Sequence, residues 1–132
     1  MFKISPIQEK DNQKIIAEAC GAIFRPDNFA YSMIDNETGE LMGFSQFTIE
    51  QSSGYITDLK PKIGYSDFEA MFILGRATLN FIDLCGVHRA FFDAEYDNET
   101  LIRAIGFAKN ADGRYEMDLT DFFKEPCQHS KK

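Results

Sequence analysis

The segment Leu59-Lys60-Pro61-Lys62-Ile63-Gly64-Tyr65-Ser66 sets two lysines and a glycine directly ahead of a strongly helical stretch. Backbone N–H groups at a helix N-terminus attract anions. Lysine charge beside them can offset phosphate charge locally, and Asp67, in the expected first turn, opposes it. The same residues also read as a plain basic turn in an acidic protein, and both readings stand at this point. Further polar groups gather at strand ends, where side chains come near a ligand: Asp58 on the strand entering the turn, and Glu95 and Tyr96 just past the next strand. Residues of these types at such places are more often solvated or hydrogen-bonded surface groups. Asn98 stands where a helix begins and reads as its N-cap. His88 fits a strand start better than a base.

Other catalytic signatures are missing. The chain has no G-x-x-x-x-G-K loop, no G-x-G-x-x-G, no H-E-x-x-H, and no Ser or Cys in a nucleophile motif. Hydrolase and kinase chemistry is thereby set aside. Cys20, Cys85 and Cys127 form an odd set without a C-x-x-C pair, which suits reduced thiols and no metal site.

The elements that must carry these residues follow from pattern. With 132 residues, 44% of them hydrophobic and 14% aromatic, the chain can bury one core. The expectation is a single domain over residues 1–123 and a polar tail at 124–132. A net charge of -7 argues against nucleic-acid binding, which needs a basic surface. The charged N-terminus lacks the apolar run of a secretory signal, which leads us to expect a cytoplasmic protein.

Phe2 and Ile4 alternate as a first strand; Asp11 is the expected N-cap of a first helix carrying Ile15, Ile16, Ala19 and Cys20, with Ser5 a rival start. Residues 22–28 connect to strands at 29–34 and 41–50 around a polar turn containing Gly39, and a third strand spans 55–60. In the second of these strands Ser45, Phe47 and Ile49 alternate with Gln46, Thr48 and Glu50, predicting one buried and one wetter face. A long helix follows, opened by an S-x-x-E capping box at Ser66 and Glu69, ended at Gly86, and apolar enough to be buried on most sides. Its polar stripe and Gly75 argue against a membrane span, and Gly75 suggests close backbone approach. A strand at 88–94, a short helix capped by Asp97 or Asn98, and a closing hairpin of 107–109 with 114–119 complete the chain.

This order, from residue 2 to about 119, resembles the GNAT superfamily of N-acetyltransferases. So do Phe2-Lys3-Ile4-Ser5-Pro6-Ile7 at the opening, Gly39-Glu40-Leu41-Met42-Gly43-Phe44 at the hairpin, and the stretch from Asn98 to Gly106-Phe107. The resemblance implies an α/β (α+β) fold with a mixed, mostly antiparallel central sheet flanked by helices. It implies acetyl-CoA as co-substrate and no metal, with the pantetheine arm along the strand before the long helix. The residues in the cofactor positions are Leu59, Lys60, Lys62, Ile63, Gly64, Tyr65 and Asn98. The family's Q/R-x-x-G-x-G/A loop is incomplete here, and its tyrosine acid is replaced by Ile105.

Aminolysis of a thioester needs a deprotonated amine, a polarised carbonyl and a proton for the departing thiolate. The backbone of residues 57–59 could polarise the carbonyl; Asp58, Glu95 and Tyr96 are the acid or base candidates. Two functions follow: an acetyl-CoA-dependent N-acetyltransferase acting on a small amine, a cationic one suiting an acidic protein, or a catalytically inactive binding module, working as a homodimer. The openness of the cleft between the third strand and the 88–94 strand separates them, with Tyr65, Phe91 or Phe92 as potential plugs.

Overall fold

The structure is a computed structural model that describes residues 2–95 and 98–123. Tyr96, Asp97, Cys127 and the tail at 124–132 lie outside the described residues. The chain order is β1 (Phe2–Pro6), α1 (Lys10–Ala19), β2 (Phe29–Asp35), β3 (Leu41–Glu50), β4 (Ser53–Pro61), α2 (Phe68–Leu84), β5 (Arg89–Phe92), α3 (Glu99–Ile105), β6 (Ala108–Lys109) and β7 (Tyr115–Asp118). The strands form one seven-stranded sheet in the order β1-β2-β3-β4-β5-β7-β6. Every pairing is antiparallel except that of β4 with β5, which the α2 crossover makes parallel. The expected mixed, mostly antiparallel sheet flanked by helices is therefore present.

The main core lies between the sheet and α2 with α3, where Met33, Ile56, Leu59, Met71, Leu74, Leu79, Ile82, Leu101 and Ile105 are buried. Phe29, Tyr31, Phe47 and Phe81 join it as an aromatic cluster with ring centroids 5.5 to 5.8 Å apart. A smaller core of Ala17, Cys20 and Phe44 seats α1 on the sheet. Because helices cover both faces of β3, Gln46 is buried as completely as Phe47, and the expected wetter face is confined to the strand's last residues.

Two local expectations are corrected. The α2 helix is capped by Asp67, whose Oδ1 accepts from Ala70 N at 3.0 Å; Ser66 lies one residue too early for the expected box. The α1 helix starts at Lys10 with Glu9 at the cap position and no side-chain cap, because packing of Gln13 and Ala17 against the sheet sets its start, not Asp11 or Ser5. As expected, α2 is buried or half-buried around most of its girth, with exposure at Glu69 and Asn80 on its polar stripe and at its two ends, Phe68 and Leu84.

Close packing marks two glycines. A Cβ on Gly75 would lie 2.6 Å from Ile105 Cδ1, so α2 and α3 touch where the sequence suggested close approach. Arg76 strengthens that contact: it donates to Ile105 O at 2.7 Å and to Ala104 O at 3.3 Å, with its guanidinium between the rings of Phe72 and Phe122. At Gly43 the added carbon would meet backbone, 2.8 Å from Lys60 O and 3.2 Å from Pro61 Cα. Backbone in a central strand pair cannot yield as a side-chain tip can. Gly43→Ala should therefore cost about 1–3 kcal/mol in a urea titration, with an unchanged slope.

Candidate functional site

The site begins with a parting of strands. β4 and β5 pair at only three positions, Gly54 with Ala90, Tyr55 with Phe91 and Ile56 with Phe92, and one further bond runs from Asp93 N to Ile56 O at 2.9 Å. Beyond Ile56, β4 continues to Pro61 while the other chain turns away through Asp93 and Glu95. The register explains where this happens. Gln46 pairs with Asp58 and Phe47 with Ile56, so Thr57 is an extra, unopposed residue in β4, a bulge that bends the strand and sharpens its twist.

Two clefts flank the parted strands. The larger, about 510 Å³, is lined by Cys20, Lys60, Pro61, Lys62, Ile63, Gly64, Tyr65, Glu95 and Asn98. The second, about 300 Å³, takes Thr57, Asp58 and Asp93 together with Arg25 and the backbone turn at Gly21. Lys60 and Glu95 line both. Neither Phe91 nor Phe92 lines either cleft: Phe92 packs on Phe107 in the core, and Phe91 stacks on Tyr55. Tyr65 is a half-exposed wall of the larger one.

Most of the residues singled out in sequence meet here. Lys60, Lys62, Ile63, Gly64, Tyr65 and Asn98 line the larger cleft, with Asn98 also capping α3 by accepting from Leu101 N at 3.0 Å. Leu59 does not line it; its side chain is buried in the core and its backbone pairs with Ser45. Glu95 has no hydrogen bond or ion pair among the described residues. Tyr96 lies outside the described residues. His88 is elsewhere, its Nδ1 2.6 Å from Asp83 Oδ1 on the surface. Asp67 is occupied by its cap and by a long contact from Tyr65 Oη at 3.4 Å.

Asp58 sits in a buried polar network that sequence reasoning missed. It is 5% exposed, and its Oδ2 accepts from Arg25 Nε at 2.6 Å and from Gln46 Nε2 at 2.7 Å. Gln46 Oε1 accepts from Arg25 N at 3.0 Å and from Gln13 Nε2 at 2.9 Å, while its Nε2 also donates to Ile23 O at 2.9 Å. Gln13 reaches Arg25 O at 3.1 Å. Asn28 Nδ2 donates to Thr57 Oγ1 at 2.7 Å, and Thr57 Oγ1 donates to Gln46 O at 3.0 Å. Two side-chain amides thus hold the 22–28 connector as the roof of the smaller cleft. The available signal was slight: Gln46 stands in a largely apolar strand, but Gln13 lies in the polar run from Lys10 to Lys14, and pattern reading assigns both to solvent by default.

Cys20 borders the larger cleft but is buried, and burial pushes its thiol up to about 12 against the opposing pull of Lys60 and Lys62. No group of three or more potential metal ligands occurs among the described residues. Nor is any helix there long and apolar enough to cross a membrane.

No family model matches the chain, and no curated protein matches it in sequence. Solved structures do match its fold. The chain is similar to a Bacillus subtilis acetyltransferase in complex with CoA, with a TM-score of 0.71 at 13% identity over 90% of this chain and 99% of that one. It is similar to the ribosomal-protein-S18-alanine N-acetyltransferase of Escherichia coli, TM-score 0.67 at 13% identity, covering 90% and 94%. It is also similar to glucosamine-6-phosphate N-acetyltransferase of Arabidopsis thaliana, TM-score 0.66 at 12% identity, covering 84% and 94%. At such identities the likeness establishes fold.

Two measurements probe the site's construction. Gln46→Leu strands the Asp58 carboxylate's neighbour contacts and the Arg25 amide together, and should lower unfolding free energy by about 3 kcal/mol in denaturant melts. In a Cys127→Ser background at pH 8, iodoacetamide should alkylate exposed Cys85 and leave Cys20 unmodified until the protein is unfolded. The sign follows from the raised thiol: at pH 8 it remains protonated, and its thiolate grows only as pH approaches 12.

Proposed function

On the GNAT acetyltransferase fold that this chain adopts, we propose that it acts as an acetyl-CoA-dependent N-acetyltransferase on a small amine. The observation that carries the reading is the parting of β4 from β5 at Ile56, which opens a cleft without a side-chain plug beside the backbone of residues 57–60. An extended thioester arm can pair with that free strand edge as a further strand would. The residues present fit such a group: Lys60 and Lys62 would offset phosphate charge, Gly64 leaves open space where a side chain would stand, and Asn98 lies on the same wall. Leu59 would contribute through its backbone, and Ile63 and Tyr65 through apolar surface.

In this reading the amine occupies the smaller cleft and reaches the thioester carbonyl where the clefts meet. Glu95, which lines both clefts, takes the ammonium proton. The amine nitrogen bonds to the carbonyl carbon and gives up its extra proton to water, the carbon–sulfur bond breaks, and the thiolate leaves with the electron pair. Backbone N–H groups around the Thr57 bulge would hold the carbonyl oxygen as it gains charge. The position of a tyrosine acid is filled by Ile105, which is fully buried, so the thiolate takes its proton from water, as a thiol of ordinary pKa near 8.5 permits. Asp58 is committed to Arg25 and Gln46 and serves to position the connector rather than to move a proton. Tyr96 is a further candidate acid.

One observation favours a second reading, a binding module without catalysis. Asp67 occupies the N-terminus of α2, where a pyrophosphate would otherwise accept from backbone N–H groups. Calorimetric titration separates the two. Acetyl-CoA and CoA should bind with micromolar Kd, and the Lys60→Glu/Lys62→Glu pair should weaken both at least tenfold. Glu95→Gln should then lower kcat by about a hundredfold with CoA affinity retained. Absence of binding up to about millimolar CoA would leave the binding module, whose dimerisation light scattering would report.

A further inference from the structure

The charges around the smaller cleft are not what the chain's overall acidity suggests. Three carboxylates line it, Asp58, Asp93 and Glu95, with two cationic side chains, Arg25 and Lys60. Two of the carboxylates are already neutralised. Asp58 is ion-paired with Arg25, and both oxygens of Asp93 accept from Arg114 Nη2 at 2.9 Å. Glu95 is left as the carboxylate without a partner among the described residues.

The cations are committed differently. Arg25 uses Nε for Asp58, and neither of its Nη groups has a hydrogen bond among the described residues, although the side chain is 39% exposed and lines the cleft. Its backbone N–H and carbonyl are both tied down, by Gln46 and Gln13, so the guanidinium is held at its root and at Nε. A fork fixed in that way is preorganised for a carboxylate or phosphate, because the ordering cost has been met by the fold. Lys60 Nζ has one long contact, 3.4 Å to Gly21 O, and can turn to the same ligand.

From this juxtaposition we infer that the acceptor is a small amine that itself carries an anionic group, a carboxylate or a phosphate, with Arg25 and Lys60 taking the anion and Glu95 the amine. The inference rests on the acyltransferase reading for the word acceptor, and on the cleft alone for the ligand. A polyamine would meet one carboxylate without an ion pair among the described residues, with Lys60 and the outward Nη groups of the paired Arg25 beside it. A free amino acid or an aminoalkyl phosphate would meet complementary charges at both ends. The cleft's volume of about 300 Å³ confines the choice to small molecules.

Matched pairs test it by calorimetry on the intact protein, with and without saturating CoA: alanine against ethylamine, lysine against cadaverine, and phosphoethanolamine against ethanolamine. The acid-bearing member should bind at least tenfold more tightly in the carboxylate or the phosphate pairs, and which of them does so identifies the anion. Arg25→Gln should erase that preference. Because it also removes the partner of Asp58, Arg25→Lys and Lys60→Gln serve alongside it. The first keeps a cation but not the fork and should reduce the preference at least fivefold; the second touches no buried contact and should reduce it about threefold. Equal binding within every pair, or tighter binding of the simple amines, overturns the inference whatever CoA does. Discrimination within the pairs in a protein that does not bind CoA overturns the acyltransferase reading and leaves the anion site standing.

Discussion

The buried hydrogen bonds of Gln46 are the constraint on which the functional half of the molecule depends. This side chain is fully buried and, with both its oxygen and nitrogen engaged, reaches α1 through Gln13, the connector through Ile23 and Arg25, and β4 through Asp58. An amide can do this because it donates and accepts from one planar group. In low-dielectric surroundings each of these bonds is strengthened, and each would be costly to leave unmade. The arrangement leaves no fully buried side-chain nitrogen or oxygen unsatisfied among the described residues. Polar satisfaction, together with the packing of Ala22 and Phe24 on the smaller core, thus decides where the 22–28 connector lies.

That constraint meets a second one in the sheet. Thr57 is inserted into β4 opposite the Gln46–Phe47 step, and its hydroxyl bonds back to Gln46 O while accepting from Asn28. The bulge and the glutamine network therefore lock one another. On the opposite face, Ser45 and Thr78 bond at 2.8 Å and the aromatic cluster around Phe47 and Phe81 fixes α2 against the sheet. With β3 held from both sides, β4 is free to leave β5 after Ile56, and the two clefts are the space that this divergence creates. Arg76, which clamps α3 to α2 through its carbonyls, sets the other rim by fixing the helix that Asn98 begins. Burial holds the Arg76 guanidinium below its ordinary pKa.

Much of the fold was legible because periodicity and punctuation agree. Alternation at Phe2 and Ile4, the Gly39 turn and the closing hairpin each emerged near their observed places, because strands and tight turns are governed by neighbours in sequence. Helix starts were less legible: Ser66 and Asp67 are both good caps, and only the way α2 seats on the core selects Asp67. The Gln46 face was misjudged for a related reason. Hydrophobic patterning assigns a polar residue to water, and a buried amide looks identical in sequence until its partners, 33 residues away in Gln13 and 21 and 23 away in the connector, are folded around it.

By itself, the sequence determined the order of elements, the thiols' lack of a metal pattern, the basic turn at Lys60 and Lys62, and the resemblance that the solved structures bear out at the level of fold. These depend on composition and short-range spacing, which a linear chain displays openly. Tertiary structure alone decided that Asp58 is committed to Arg25, that Glu95 stands between two clefts, and that an acidic chain presents the two Nη groups of that arginine there without a hydrogen bond among the described residues. Which charges cancel is a matter of distances of a few ångströms between residues far apart in the chain, and Coulomb energy, burial and hydrogen bonding act through those distances rather than through sequence order.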